Sequence, residues 1–206
     1  MSDIKKRMTI HCNGDFIDTT GRIGCSILGD TPDSTKKEIP TSSNNNDFGN
    51  ALEVCLNNSK ELTNDEWDAA YGTDDQKFYD SMIKKYEEYT IELVKKYGYK
   101  SKTVLYKNMM SCHIEVEGHV MVINIYNHIK LDVWEGTDNS IKISYNSPSE
   151  IIGAAVRYAF SRCKGKGPYA KGAEIVTKAL FPDGVPNSLE EYLESINKDY
   201  KQWLVK

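Results

Sequence analysis

Apolar residues alternate with polar ones between positions 110 and 145, and this pattern limits the possible folds more than any other feature. Apolar side chains recur with a period of two on both sides of residues 120–125. They are Cys112, Ile114 and Val116 before this segment, and Ile129, Leu131, Val133, Ile141, Ile143 and Tyr145 after it. Residues 120–125 are apolar on both faces, which is typical of a central strand. Gly118 and residues 136–139 supply turns. We therefore predict an antiparallel meander over residues 102–145.

Helix signals lie on both sides of this meander. The sequence 63–66 has the form of a capping box, and 73–76 repeats it before a long helix that we predict from Asp74 to about Tyr97. Ser147 and Pro148 predict another helix start, with the serine as the cap and the proline in the first turn. A C-terminal helix is predicted from Ser188 to about Trp203.

Two segments, 37–60 and 141–164, match at a constant offset of 104 residues. Each contains a strand end, a polar cap and a helix with a glycine in its first turn, Gly49 and Gly153. A helical glycine costs up to about 1 kcal/mol relative to alanine. Its presence in both segments predicts that each helix packs tightly on the sheet there. We interpret the match as an internal duplication; two similar amphipathic helices are the alternative.

The chain has 206 residues, of which 39% are hydrophobic, and this is enough for one core. We predict an α+β fold: a single domain over 1–206, a central mostly antiparallel sheet with packed helices, and a C-terminal helical extension at about 166–206. The first residues lack the apolar stretch of a secretory signal, and no run is long enough to span a membrane. A cytoplasmic protein without membrane contact is expected.

Catalytic patterns are weak. The five cysteines are widely spaced without a C-x-x-C pair, which argues against a disulfide framework or a zinc site. His113, Glu115 and His119 lie in one meander, and a metal-dependent hydrolase using them is an alternative reading. Exposed polar positions of a half-solvated sheet explain these residues equally well. We expect neither a catalytic residue nor a cofactor.

An acidic stretch carries the strongest functional signal. Residues 61–80 hold seven carboxylates against one lysine, a net charge of −6, with aromatic residues between them. Aromatic side chains anchor protein interfaces, and a charged patch steers a partner of opposite sign. A solvated helix surface is the alternative. The candidate partner-binding residues are Asp65, Glu66, Trp67, Asp68, Tyr71, Asp74, Asp75 and Asp80.

Residues 141–164 resemble the signature of the bacterial contact-dependent growth inhibition (CDI) immunity proteins. In that family a strand is followed by a helix with a characteristic glycine and alanine pattern. The matching residues here are Ser147, Glu150, Ile152, Gly153, Ala155, Val156, Ala159, Phe160, Arg162 and Cys163. These residues build a helix on a sheet. The resemblance therefore concerns the fold, and no interface residue can be carried over from the family.

The resemblance implies a non-enzymatic protein that neutralises a toxin by occluding its active site. The partner would be the C-terminal toxin domain of a secreted filamentous effector, bound in a 1:1 complex without direct contact to nucleic acid. Such toxins are often nucleases, commonly acting on tRNA, and their surfaces are basic because they hold phosphates. An acidic stretch suits such a surface. An adaptor that binds a peptide or small ligand remains an alternative.

Overall fold

The computed structural model describes residues 6–24, 31, 34–197 and 199–205, with the side chain of Asp75 also left out. A six-stranded antiparallel sheet forms the centre. Its strands are β1 (Lys6–Cys12), β2 (Phe16–Gly21), β4 (Lys36–Pro40), β6 (Met110–Glu117), β7 (Val120–Lys130) and β8 (Val133–Ser144). They lie in the order β4-β2-β1-β6-β7-β8. Two short strands, β3 (Ile23–Gly24) and β5 (Lys60–Glu61), pair separately. The predicted α+β fold is confirmed.

Within the described ranges, seven α-helices accompany the sheet. They are α1 (Asn45–Asn57), α2 (Asn64–Tyr71), α3 (Asp75–Lys96), α4 (Lys102–Lys107), α5 (Ser149–Arg162), α6 (Ala170–Leu180) and α7 (Leu189–Ile196). Two 3₁₀ turns cover Gly167–Tyr169 and Tyr200–Trp203. Gly98 has a positive φ of 68° beyond the last turn of α3, the conformation that ends a helix at glycine.

One face of the sheet, the helix-covered face, packs against α1 and α5. Ile10, Ile114 and Ile123 are fully buried there, and Phe48 of α1 and Phe160 of α5 belong to the same cluster. Because alternate residues of a strand point to opposite faces, the period of two seen in the sequence selects which residues enter this core. The same cluster receives side chains of α6 near the C-terminus.

The sheet consists of two three-stranded meanders joined along β1 and β6, each followed by a helix. The offset of 104 residues that relates α1 to α5 also brings 6–12 onto 110–116 and 36–40 onto 140–144. The two helices therefore occupy equivalent positions on the sheet, and β4 and β8 form its two outer edges. This arrangement supports the duplication inferred from the sequence.

The two shared glycines have a different role from the one predicted. A Cβ on Gly49 would lie 1.7 Å from the carbonyl oxygen of Ser149, and one on Gly153 would lie 2.0 Å from that of Asn45. Each glycine thus faces the opposite helix, and the prediction that it faces the sheet is wrong. Close approach of two backbones requires glycine because any side chain would fill the contact.

Three boundaries also differ from the predictions. Residues 102–107 form α4, so the meander begins at Met110. Pro148 occupies the position before α5, while the hydroxyl of Ser147 donates to the carbonyl of Ser144 at 2.6 Å instead of capping the helix. The C-terminal helix ends at Ile196, where Asn197 has extended backbone angles, and a 3₁₀ turn follows.

Candidate functional site

The acidic stretch folds into α2 and the start of α3, and we call residues 61–80 the acidic arm. Thr63 begins α2 with a complete capping box: its backbone N–H donates to Glu66 Oε2 at 2.8 Å, and its hydroxyl accepts from the Glu66 N–H at 3.3 Å. The hydrogen bond from the Thr63 backbone lowers the pKa of Glu66. Asp74 caps α3 by accepting from the Lys77 N–H at 3.0 Å. Two carboxylates of the arm therefore also stabilise helix starts.

The remaining described carboxylates of the predicted set face solvent. Asp65, Asp68 and Asp80 are exposed, and Asp80 accepts a hydrogen bond from the Gln76 amide at 2.9 Å. Asp75 begins α3, but its side chain lies outside the described part of the structure. Asp65, Asp68 and Asp80 therefore place exposed negative charge on two consecutive helices.

The predicted aromatic anchors pack against each other. The ring centroids of Trp67 and Tyr71 are 4.8 Å apart, and Phe78 of α3 lies 4.7 Å from Trp67 and 5.1 Å from Tyr71. This triangle joins α2 to α3 and sets the angle of the arm. Trp67 and Tyr71 remain half-buried, so part of each ring still faces outward.

The second face of the sheet, which we call the open face, carries a polar and aromatic cluster. His113 stacks on Tyr126 with ring centroids 4.0 Å apart, and His11 lies 5.0 Å from the ring of Trp134. Burial, with smaller contributions from nearby cations, lowers the pKa of His11 to about 4 and that of His113 to about 3. Both imidazoles are therefore neutral at pH 7.

The described residues fully cover one end of the open face. There Phe16 stacks on Tyr97 at 4.4 Å between centroids, and Leu93, Leu105 and Met109 complete a second buried cluster. At the other end, the middle of α3 stands over the sheet and leaves a cleft of about 510 Å³. Its apolar and aromatic lining includes Met82, Ile83, Tyr86, Tyr126, Val133 and Trp134.

This cleft has the opposite charge to the arm. Of the described residues, Arg22, Lys36 and Lys85 line it, against one carboxylate, Asp132. The sequence alone does not reveal this site because its residues come from distant segments of the chain. One signal was available: the apolar residues of α3 extend over its exposed N-terminal half, where Tyr79, Ile83 and Tyr86 remain at least 42% exposed.

The arrangement of the described residues gives little support to the enzymatic alternatives. His113 and Glu115 lie on the same face of β6, whereas His119 follows the turn at Gly118, and the three form no metal-binding group. No other group of three His, Cys, Asp or Glu side chains in the described ranges is arranged to hold a metal ion. Burial raises the pKa of the Cys12 thiol to about 12, so this cysteine is not an activated nucleophile.

Comparison with known proteins now identifies the family. The sequence model of the CDI immunity proteins, CdiI, matches residues 6–163, which include the whole six-stranded sheet together with α1 to α5. The chain belongs to the CDI immunity protein family. The resemblance noted for residues 141–164 is thereby confirmed and extended over most of the chain.

Individual relatives agree with this assignment. The immunity protein CdiI-YPIII of Yersinia pseudotuberculosis serotype O:3 (strain YPIII) is 38% identical over 130 residues, which are 58% of this immunity protein and 73% of that one. A chain of the CdiA-CT/CdiI toxin and immunity complex from Yersinia pseudotuberculosis has a TM-score of 0.67 at 25% identity, with 79% of this chain and 100% of that chain covered.

A protein of unknown function from Neisseria meningitidis, NMB0488, shares the fold, with a TM-score of 0.71 at 24% identity and coverage of 80% of this chain and 98% of that one. Among the described residues of this immunity protein, no helix combines the length and apolar composition needed to cross a membrane.

Proposed function

We propose that this immunity protein binds the toxin domain of a CDI effector and neutralises it by covering its active site, and that the toxin is a nuclease, with tRNA as its candidate substrate. The observation that carries the proposal is the acidic arm, where seven carboxylates and one lysine occupy 61–80. A nuclease presents cations to the phosphates of its substrate, so its active cleft has the complementary charge.

The mechanism follows from the position of the arm. α2 buries no side chain, and the start of α3 is mostly exposed, so the carboxylates of Asp65, Asp68 and Asp80 can meet a partner without any rearrangement of the core. Charge complementarity speeds the encounter and fixes the orientation, while partial burial of Trp67 and Tyr71 supplies apolar contact. Glu66, Asp74 and Asp75 add negative charge around this contact.

The protein acts as a 1:1 stoichiometric inhibitor in the cytoplasm, without catalysis, a cofactor or contact to membrane or nucleic acid. Its partner is the C-terminal toxin domain of the effector encoded beside it. Support comes from family membership and from a structural match to a toxin and immunity complex.

The test is a charge reversal of the arm. The triple variant Asp65→Lys, Asp68→Lys and Asp80→Lys should bind the toxin domain encoded immediately upstream at least about tenfold more weakly at low salt, because each reversed side chain now repels the basic face. The salt dependence of binding should flatten, since screening acts on the lost attraction. Isothermal titration calorimetry at several ionic strengths measures both.

The matched control reverses three exposed carboxylates outside the arm, Glu88→Lys, Glu92→Lys and Glu174→Lys, for the same change in net charge. It should bind and protect cells like the unmodified protein. Unchanged affinity and unchanged protection by the arm variant would refute the electrostatic mechanism. Failure of the unmodified protein to bind the toxin domain at all would refute the function itself.

A further inference from the structure

We propose that the toxin surface recognised by this protein carries an acidic side chain as well as a basic patch, and that this acidic group enters the cleft between α3 and the open face of the sheet. This inference rests on the proposed function. It adds a second contact of opposite sign to the one made by the acidic arm.

Exposed apolar surface is concentrated at this cleft. Ile83 and Tyr86 on α3 are 50% and 42% exposed, and Val133 at the start of β8 is 40% exposed. All three line the cleft together with the rings of Tyr126 and Trp134. Apolar side chains that line a concave surface and are rimmed by charges mark a protein contact more often than a solvated helix face.

The charge of the cleft determines the chemistry of its occupant. Lys36 and Lys85 form no ion pair with any residue that the structure describes, and the ammonium of Lys36 lies 4.4 Å from the ring centroid of Tyr89. Arg22 donates to the Thr9 hydroxyl at 2.7 Å, which holds the guanidinium at the wall of the cleft. Among the described lining residues, Asp132 is the single carboxylate. An anion is favoured there because Arg22 and Lys36 are partly buried, so their charges are screened by salt less than those of exposed cations, and the exposed Lys85 adds a third positive charge.

The volume and the lining restrict the size of that anion. A cleft of about 510 Å³ accommodates one or two side chains of a protruding loop. His11 and His113 are uncharged at pH 7, so they offer ring faces and hydrogen-bonding nitrogens without adding positive charge. A glutamate or aspartate flanked by an apolar residue matches both the cations and the rings.

The arm and the cleft together orient the partner. The arm leads directly into α3, whose residues Ile83 and Tyr86 line the cleft, so one docked surface spans both. A toxin with basic residues over the arm and an acidic residue over the cleft fits in one orientation only, since a reversed pose would bring like charges together.

The first experiment reverses the cleft charge with Lys36→Glu and Lys85→Glu. Binding of the upstream-encoded toxin domain should weaken at least about tenfold, whereas the matched control Lys171→Glu and Lys178→Glu on α6, which packs on the other side of the sheet, should change affinity less than about twofold. Thermal melts check that both variants fold. Equal binding by the cleft variant overturns this inference and leaves the proposed function intact.

A second experiment uses the unmodified complex. Acetylation of Lys36 and Lys85 by acetic anhydride, followed by mass spectrometry, should be at least about fivefold slower in the complex than in the free protein, with Lys178 unaffected. Equal rates would overturn the inference even if the variants failed to fold.

A third experiment identifies the acidic partner. Single Asp→Lys and Glu→Lys substitutions across the toxin surface should include at least one that restores binding to the Lys36→Glu and Lys85→Glu variant. If no substitution restores binding, the direct pairing is overturned. If the toxin does not bind the unmodified protein but a short Glu-rich peptide does, the inference of a toxin contact and the proposed function both fail, and the adaptor alternative is favoured.

Discussion

The two faces of the central sheet are covered by helices to different extents. On the helix-covered face, α1 and α5 approach each other so closely that glycines are required at the contact, and their apolar side chains fill one continuous core. On the open face, α3 buries only Thr90 and Leu93 among its described side chains, and its N-terminal half is mostly exposed. α2 buries none.

This difference separates folding from recognition. The helix-covered face holds both halves of the duplicated unit, whereas α2, α3 and α4 all lie in the connection between the first helix and the second meander. That connection has no counterpart inside the second unit. In this connection, α2 and the N-terminal half of α3 are released from core packing, and the charge and apolar surface needed for a partner are concentrated there.

The largest expected effect is on the helix-covered face. Gly49→Ala places a methyl group 1.7 Å from the Ser149 carbonyl oxygen, so α1 and α5 must separate, and the free energy of unfolding should fall by more than about 3 kcal/mol. Chemical denaturation followed by circular dichroism measures the change. Asn50→Ala, at the exposed neighbouring position, is the control and should change stability by less than about 0.5 kcal/mol.

An unchanged or higher stability for Gly49→Ala would contradict the helix contact. Alanine is the better helix former by about 1 kcal/mol, so this outcome is the one expected if Gly49 faced solvent. The two explanations of the glycine therefore predict opposite signs.

Much of this face was predictable from the sequence. The period of two at Cys112, Ile114 and Val116 places these side chains in the core, and the offset of 104 residues indicates the second unit. The partner of each glycine was not predictable, because a glycine in the first turn of a helix is compatible with a nearby sheet or a nearby helix. Only the three-dimensional arrangement decides between them.

The candidate site was predictable only in part. The capping box at Thr63 and the acidic composition of the arm depend on neighbouring residues, and both are present. The stacking of Trp67 on Phe78, which joins two helices, and the cleft that brings Lys36 to Lys85 depend on the path of the chain. A sequence lists such residues without showing that they meet.

An intermediate effect is expected on the open face when the pH falls. The pKa of His113 is about 3 in the folded protein and near 6.5 in the unfolded chain, so below pH 6.5 the unfolded state binds a proton that the folded state does not. This histidine should therefore cost about 2 kcal/mol of stability between pH 7 and pH 5, and the loss continues until the pH reaches the folded pKa.

The measurement compares the pH dependence of unfolding in urea for the unmodified protein and for His113→Gln. The variant loses the stacking on Tyr126, so its absolute stability is not informative, but its slope between pH 7 and pH 5 should be flatter by the contribution of one buried imidazole. Parallel curves would show that His113 is accessible to protons in the folded protein and that this end of the open face is less covered than the structure indicates.

The smallest expected effect is on the arm and provides the sharpest contrast with the core. Thr63→Ala removes the hydroxyl that accepts from the Glu66 N–H at 3.3 Å, and α2 should lose about 1 kcal/mol of local stability. Because α2 buries no side chain, global unfolding should shift by less than about 0.5 kcal/mol, while amide hydrogen exchange in 64–71 accelerates severalfold.

Ser101→Ala is the matched substitution in a helix that does pack. Its hydroxyl accepts from the Val104 N–H at 3.3 Å at the start of α4, and α4 buries Leu105 and Tyr106 in the second cluster. The same loss of a cap should therefore lower global stability by about 1 kcal/mol there. Equal global effects for the two variants would mean that the arm folds together with the core, and the separation of recognition from folding would no longer hold.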